Sequence, residues 1–251
     1  MSAEERVAPV ARAWQDPALW RVWAAQAGIG VALGGLLVVD IFLIELAAGW
    51  VTVYGIAPAA VAVPALLGGA ARAVLVAAIE ETLFRGVLLG YLLRPLGLPV
   101  AVTGSALAFA LVHSWNAGAT WLALVNLAAA GGLFALAYLV GRGLALPIGL
   151  HAAWNLVEGS VFGFPVSGNV RDSLLRVATA GPEWATGGAF GPEGGLVGLK
   201  AIVVIALVLW AGRRYVPVPL QPAVAGKCAG SGEPPAPGHE AADGRTKGMS
   251  T

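Results

Sequence analysis

At 251 residues the chain has the length of one domain, but 58% of it is hydrophobic and only 12% is charged, about half the roughly 25% charge of an ordinary soluble domain. So few charges cannot cover a soluble surface; the net charge of +1 offers no basic footprint for nucleic acid, and a single cysteine excludes a disulfide framework. With a mean hydropathy of +0.78, the class that remains is an all-α, polytopic membrane helix bundle, because the apolar runs are too long and continuous for the alternating strands of an outer-membrane barrel.

Residues 1–21 form a polar N-terminal segment carrying Glu4, Glu5, Arg6, Arg12, Asp16 and Arg21. A crossing helix needs about 20 apolar residues. The first such run, 22–48, is too long and begins too late for a cleaved signal peptide, and it contains Asp40 and Glu45. Residues 51–69 are apolar but broken by Pro58, Pro64 and several glycines, which predicts an interfacial or re-entrant piece rather than a clean span. The stretch 70–93 predicts a helix carrying Glu80, Glu81 and Arg85. From Pro95 to Gly141 there is no formal charge, room for two spans with a break at Ser114–Gly118. Further spans are predicted at about 144–162 and 196–211. Residues 215–251, rich in Pro, Gly and Ala and without apolar periodicity, read as a disordered tail containing Cys228 and His239. The count is six spans, or seven if 51–69 crosses, in a membrane-embedded domain over 22–214 whose core is about 70–165. Trp20, Trp23, Trp50, Trp115, Trp121 and Trp210 fall near the predicted ends, where indoles prefer to sit. With six spans, Arg6, Arg12, Arg21, Arg94, Arg142, Arg213 and Arg214 share one side, which predicts cytoplasmic termini in a multi-pass cell-membrane protein.

Ionisable groups inside apolar helices cost about 2.5–3.5 kcal/mol or more each and mark function by default. Glu81 and Arg85, four residues apart, share one helical face in the order that favours an ion pair. Glu80 lies about 100° away around the same helix and is left to face a cavity. Only three histidines occur in the chain, and two of them, His113 and His151, lie in apolar runs. His151 and Asn155 stand one turn apart on one face. Glu158 reads either as continuing that face or as a charge at the helix end, Asn126 reads as glue between helices, and Gly30 with Gly34 is spaced for close helix packing. Counted along the helices at 1.5 Å per residue, Glu80 and His113 lie about 20 Å deep, His151 about 10 Å and Asn155 about 16 Å, so tilt must bring them level.

The pattern Glu80-Glu81-x-x-x-Arg85, Phe109-x-x-x-His113, His151-x-x-x-Asn155 resembles the CPBP (Abi) family of intramembrane proteases, which includes the type II CAAX prenyl endopeptidases. The resemblance implies an intramembrane endopeptidase in which Glu80 and His113 activate a water, His151 and Asn155 stabilise the oxyanion, and Glu81 and Arg85 support the site. Its substrate would be a peptide or membrane protein, lipidated in the CAAX case, with the bilayer as its surroundings and no nucleic acid partner. No cofactor is required by this scheme. The alternative chemistry uses zinc held by Glu80, His113 and His151, a legitimate ligand set, although Asn155 suits an oxyanion donor better than a ligand. Two readings from other classes are a small transporter, for which paired repeats are expected, and a non-catalytic immunity or scaffold protein.

Overall fold

The computed structural model describes residues 16–218; most of the polar N-terminal segment, and the tail beyond 218 with Cys228 and His239, lie outside the described residues. The first helix, α1 (Pro17–Ala47), starts five positions before the predicted span. Asp16 caps it, its Oδ1 accepting from the Ala18 N–H at 2.8 Å, and Pro17 occupies the first turn, where its missing N–H is not needed.

The segment after α1 corrects the sequence expectation. Residues Val51–Ile56 form a strand, β1, paired antiparallel with β2 (Leu175–Thr179), with a shift in register between Val53 and Gly55. Val-Thr-Val-Tyr is a β-branched and aromatic run that suits a pleated strand, and β2 satisfies the hydrogen bonds that an isolated extended stretch would leave open. The rest of 51–69 is helical. From Ala59 it is the opening of α2 (Ala59–Glu81), which accommodates Pro64 inside it.

The helix then widens into a π-helical segment, Thr82–Leu89, and returns to α geometry in α3 (Gly90–Val112). The whole run, Ala59–Val112, has 54 residues. At 1.5 Å per residue it would reach about 80 Å if straight, far more than a hydrocarbon core of about 30 Å. Gly97, at φ 77°, breaks the helical path between Pro95 and Pro99 and takes a conformation that glycine adopts without steric cost.

After the predicted break comes α4 (Trp121–Gly141), capped by the Thr120 hydroxyl. It is followed by α5 (Ala145–Asn155), which continues as a second π-helical segment, Leu156–Val161. Irregular chain containing β2 and one helical turn (Glu183–Thr186) leads to α6 (Leu196–Gly212). Among the described residues, four helical runs are long and apolar enough to cross a membrane: α1, the composite α2–α3 run, α4 and α6 with the turn after it. Trp115, Trp121, Trp184 and Trp210 are exposed near helix ends, as amphipathic indoles at an interface should be.

The short helix α5 is the centre of the bundle. Nine of its residues, from Ala145 to Trp154, are buried, and α1, α2 and α4 pack against it. Lipid tails are as apolar as leucine, so close backbone approach and polar contacts must supply much of the packing energy. Both are visible. A Cβ on Gly30 or Gly34 would run into the backbone of Leu146 and Leu150, and one on Gly149 into Ala27. Gln26 Nε2 donates to Gly141 O at 2.8 Å and to Pro217 O at 2.6 Å. The outer faces carry exposed Leu36, Leu75, Leu107, Leu111 and Leu207.

Candidate active site

Polar side chains brought inward by four helices and the chain before α6 line one cavity of about 140 Å³. On α2, Gly69, Arg72, Ala73, Val76 and Glu80 all face it, a stripe set by the three- and four-residue steps of a helix. His113, at the C-terminal cap of α3, lines the cavity with His151 and Asn155 of α5 and with Phe134 of α4. All four residues expected to act in catalysis therefore line the same wall-to-wall space. The depths counted from the sequence treat the helices as parallel rods with a shared origin. In the structure His113 closes the end of α3, while His151 sits two turns into α5.

Beneath Glu80 lies a fully buried charge network. Arg85 Nη1 donates to Glu81 Oε1 at 3.0 Å, and Nη2 donates to Gly131 O at 3.1 Å. The guanidinium is caged by Phe84, Phe109 and Phe134, its carbon 4.6 Å from the centre of the Phe109 ring and 5.1 Å from that of Phe134. Such cation–π contacts are worth about 2 kcal/mol each when desolvated, and the neighbouring Gly131 lies so close to Ala106 that no side chain fits there. The same Glu81 Oε1 lies 2.8 Å from His151 Nδ1. Glu81 is thus more than the partner of Arg85. It orients the imidazole, which also stacks on Phe134 with centroids 4.7 Å apart and planes at 15°.

These contacts fix ring nitrogens. A carboxylate accepts, so His151 Nδ1 carries the proton and Nε2 faces Glu80, with Glu80 Oε2 at 3.8 Å. A carbonyl accepts as well, so His113 Nδ1 donates to Phe109 O at 2.7 Å and its Nε2 is left with a lone pair. Glu80 Oε2 is buried with no hydrogen-bond partner. Asn155 lines the cavity one turn beyond His151.

Sequence reasoning overlooked the mouth of the cavity. Ser167, Asn169, Arg171 and Glu193, all from the chain between α5 and α6, line it together with Asn116 and Arg72. Glu193 Oε1 accepts from the Ser167 hydroxyl at 2.7 Å and from the Ser167 backbone N–H. Burial pushes the Glu193 carboxyl above its ordinary range, and the Ser167 hydrogen bonds draw it part of the way back. The available signal was a charge set among glycines, Gly191-Pro192-Glu193-Gly194, just before an apolar span. Asn126 is glue of a different kind from that expected: its Nδ2 ties α4 to the carbonyls of Glu193 and Gly195 at 2.9 and 2.7 Å. Glu158 does not join the cavity; it is buried and accepts from Trp154 Nε1 at 2.7 Å. Asp40 pairs with Lys200 at 2.7 Å, while both oxygens of buried Glu45 lack partners.

Zinc can be tested against this geometry. Among the described residues no three His, Cys, Asp or Glu side chains are arranged to hold a metal ion. Glu80, His113 and His151 are thus not gathered as a zinc ligand set here, although a carboxylate on His151 Nδ1, with Nε2 turned toward Glu80 Oε2 at 3.8 Å, is also what a zinc-bound imidazole carries.

The fold and site define a polytopic helical membrane protein with a polar, histidine- and carboxylate-lined cavity enclosed by its helices. Residues 62–157 match the model of the Rce1-like family, the type II CAAX prenyl endopeptidases. That segment spans all three motifs and makes this part of the chain similar to the CPBP family of membrane proteases; the likeness supports, at family level, a CAAX-protease-like intramembrane endopeptidase. No curated protein and no solved structure matches the chain.

Proposed function

We propose that the protein hydrolyses a peptide bond with a water activated by Glu80 and His113, without a metal. The observation that carries this reading is the pair of open acceptors in one cavity: Glu80 Oε2, buried without a partner, and His113 Nε2, left with a lone pair by the Phe109 contact. A water has two protons to donate, and these two atoms can take both. Its oxygen then attacks the carbonyl carbon as Glu80 accepts one proton. The carbonyl oxygen becomes an oxyanion, for which the Asn155 amide N–H is a donor. His151 adds a second donor through Nε2 when its ring is protonated on both nitrogens. One such donor is worth roughly 3–4 kcal/mol in known sites. When the C–N bond breaks, Glu80 returns its proton to the leaving amine. Glu81 and Arg85 act by holding His151.

The lining runs from Glu80 out to the chain between α5 and α6, so the substrate reaches the site from that end. With the termini in the cytoplasm, as the Lys and Arg distribution favours, the mouth faces the opposite side of a cell membrane. The substrate class is a peptide or membrane protein; a lipidated one would lay its chain against the exposed leucines of the outer faces. The test is cleavage of a degenerate peptide pool by the purified protein in detergent, with and without a strong chelator. Cleavage that survives the chelator and disappears in Glu80→Gln is the expected result. Loss of wild-type cleavage on chelation, restored by zinc, would replace this mechanism with the metal one.

A further inference from the structure

The cavity holds one carboxyl group that water activation does not use. Glu193 is only 6% exposed and lines the same space as Glu80, His113 and His151. It is held at three points. Gly191 lies so close to the Pro165 carbonyl that no side chain fits between them. Asn126 ties the carbonyls of Glu193 and Gly195 to α4. Ser167 gives both its backbone N–H and its hydroxyl to Glu193 Oε1. Ser167 itself occupies a demanding position. With Gly168 it forms the centre of a turn in which Val166 and Asn169 exchange both backbone hydrogen bonds. Both central residues have positive φ, 45° for Ser167 and 80° for Gly168, a conformation that favours Asn, Asp or Gly. Serine is an uncommon choice there, and its hydroxyl is what reaches Glu193. Strained backbone of this kind clusters where a site needs a group fixed in place.

Oε1 thus accepts twice, and among the described residues Oε2 takes no hydrogen bond. A neutral carboxylic acid donates from one oxygen and accepts through the other, so its proton belongs on Oε2. Two carboxylates ionised around one small cavity repel, and a pair so placed keeps one proton. Burial raises the Glu193 pKa by more than the Ser167 hydrogen bonds and the charges of His113 and His151 lower it. Glu193 therefore holds the proton, and Glu80 is left to act as base.

We propose, on the reading that Glu80 activates the water, that Glu193 is the acid of the same reaction and donates from Oε2 to the carbonyl oxygen of the bond that is cut. The protons balance over one cycle. As the water oxygen bonds to the carbonyl carbon, one water proton passes to Glu80 and the Glu193 proton passes to the carbonyl oxygen. The charge developing on that oxygen is neutralised while Asn155 holds the atom in place. The Glu193 carboxylate left behind is stabilised by the two Ser167 donors. When the C–N bond breaks, Glu80 gives its proton to the nitrogen and Glu193 Oε2 takes one back from a hydroxyl of the intermediate. Acid and amine leave, and both carboxyl groups are as they began. The scheme also relieves His151, which donates through Nε2 only when its ring carries two protons.

The test uses the full-length protein in detergent and two readouts, the first independent of turnover. One degenerate decapeptide pool carries a central –CH(OH)–CH2– unit in place of a peptide bond, a mimic of the tetrahedral intermediate, and a matched pool carries –CH2–CH2–. Binding is followed by fluorescence anisotropy. Wild type should bind the hydroxyl pool about tenfold more tightly, the scale of one buried hydrogen bond. Glu193→Met, unbranched and without a charge, should lose most of that preference while binding the methylene pool as wild type does. Equal binding of the two pools by wild type overturns the proposal, as does a preference undiminished in Glu193→Met.

The second readout is cleavage across pH. Glu193→Gln keeps an acceptor for Ser167 but has no acid proton to pass, so kcat should fall by about 10²–10³-fold with little change in KM. The decline of wild-type kcat at high pH, where the acid is lost, should be absent from that variant. Ser167→Ala should move the decline to higher pH, because the hydroxyl hydrogen bond favours the ionised carboxyl. A Glu193 that merely held the chain in shape would lower the rate and leave the pH limb where it was. The other charged or titratable groups near Glu193 are intact in both variants. They are Arg72, Glu80, His113, His151 and Arg171 around the cavity, Glu158, whose charge reaches Glu193, and Glu183 on the helical turn packed against Pro192–Gly194; Lys200 of α6 is paired with Asp40. A decline that persists in Glu193→Gln belongs to one of these and overturns the proposal. Near wild-type cleavage by Glu80→Gln would remove Glu80 as the base without touching the isostere result, so the two readings fail separately.

Discussion

At the floor of the cavity Arg85 and His151 both bind Glu81, among three aromatic rings and a backbone carbonyl, whereas farther out Arg72 and Arg171 line the cavity without a carboxylate partner among the described residues. The floor is helix on helix. Its distances follow from a four-residue spacing, from α5 packing on α2 and from α4 packing on α5. The mouth depends on irregular chain, anchored by Ser167, Glu193 and Asn126. A buried charge network is costly to open because each partner strands another, so the floor is rigid and can hold a reacting group in place. The mouth keeps unpaired polar groups, and these are what a substrate can recognise.

Breaking the floor at its reactive end should have the largest effect. Glu80→Gln removes the proton acceptor but no existing hydrogen bond, so cleavage should fall by about 10²–10⁴-fold while the thermal midpoint in detergent stays at the wild-type value. A variant with near wild-type turnover would remove Glu80 as the base. Breaking the floor at its support should act on stability instead. Arg85→Ala leaves Glu81 charged and buried without its cation, with an expected loss of about 3–5 kcal/mol. Thermal unfolding of Arg85→Ala, Glu81→Ala and the double variant checks this, the double being less damaged than the sum of the singles.

The mouth can be sharpened by pH. The folded protein holds the Glu193 proton more tightly than the unfolded chain does, because burial raises the folded pKa. The associated stability is therefore fully present below the unfolded carboxyl range, near pH 4.5, and is lost as pH rises through the higher folded value. Unfolding midpoints of wild type should decline across that window, and Glu193→Gln should flatten the decline; an identical slope would show that Glu193 does not titrate there. A smaller change is expected for Asn126→Ala, which severs two bonds to the carbonyls of Glu193 and Gly195. About 1–3 kcal/mol is at stake for the groups left unmade. Faster protease nicking between 164 and 195, with α1 to α5 intact, is the readout.

The contrast between floor and mouth also explains what could be read beforehand. Glu81 and Arg85, or His151 and Asn155, are close in sequence, and helical geometry makes them close in space. Apolar stretches longer than a bilayer is thick announced the helices, and their polar interruptions announced the site. Arg171, Ser167 and Glu193 meet their neighbours only through an irregular chain path with no period to read. The strand Val51–Ile56 was hidden for another reason. Its partner lies more than a hundred residues away, and hydropathy cannot distinguish a β-branched strand from a fragment of span. The central place of α5 was equally silent, since a helix surrounded by protein and one surrounded by lipid need the same apolar residues.

The two π-helical segments begin immediately after motif residues, one at Thr82 behind Glu80 and Glu81, the other at Leu156 behind Asn155. A π turn closes its hydrogen bonds one residue later than an α turn, so it stores a residue of slack. Elsewhere in a helix, losing one residue swings everything downstream by about 100°, which would carry a catalytic side chain from the cavity to the lipid. Beyond Arg85 and beyond Asn155 the loss of one residue can instead be absorbed by a wide turn relaxing to an ordinary one. The helices thus have length buffers next to their most phase-sensitive residues: a residue lost between Arg85 and His113 need not rotate His113 out of the cavity, and one lost within Leu156–Val161 need not swing the chain that follows.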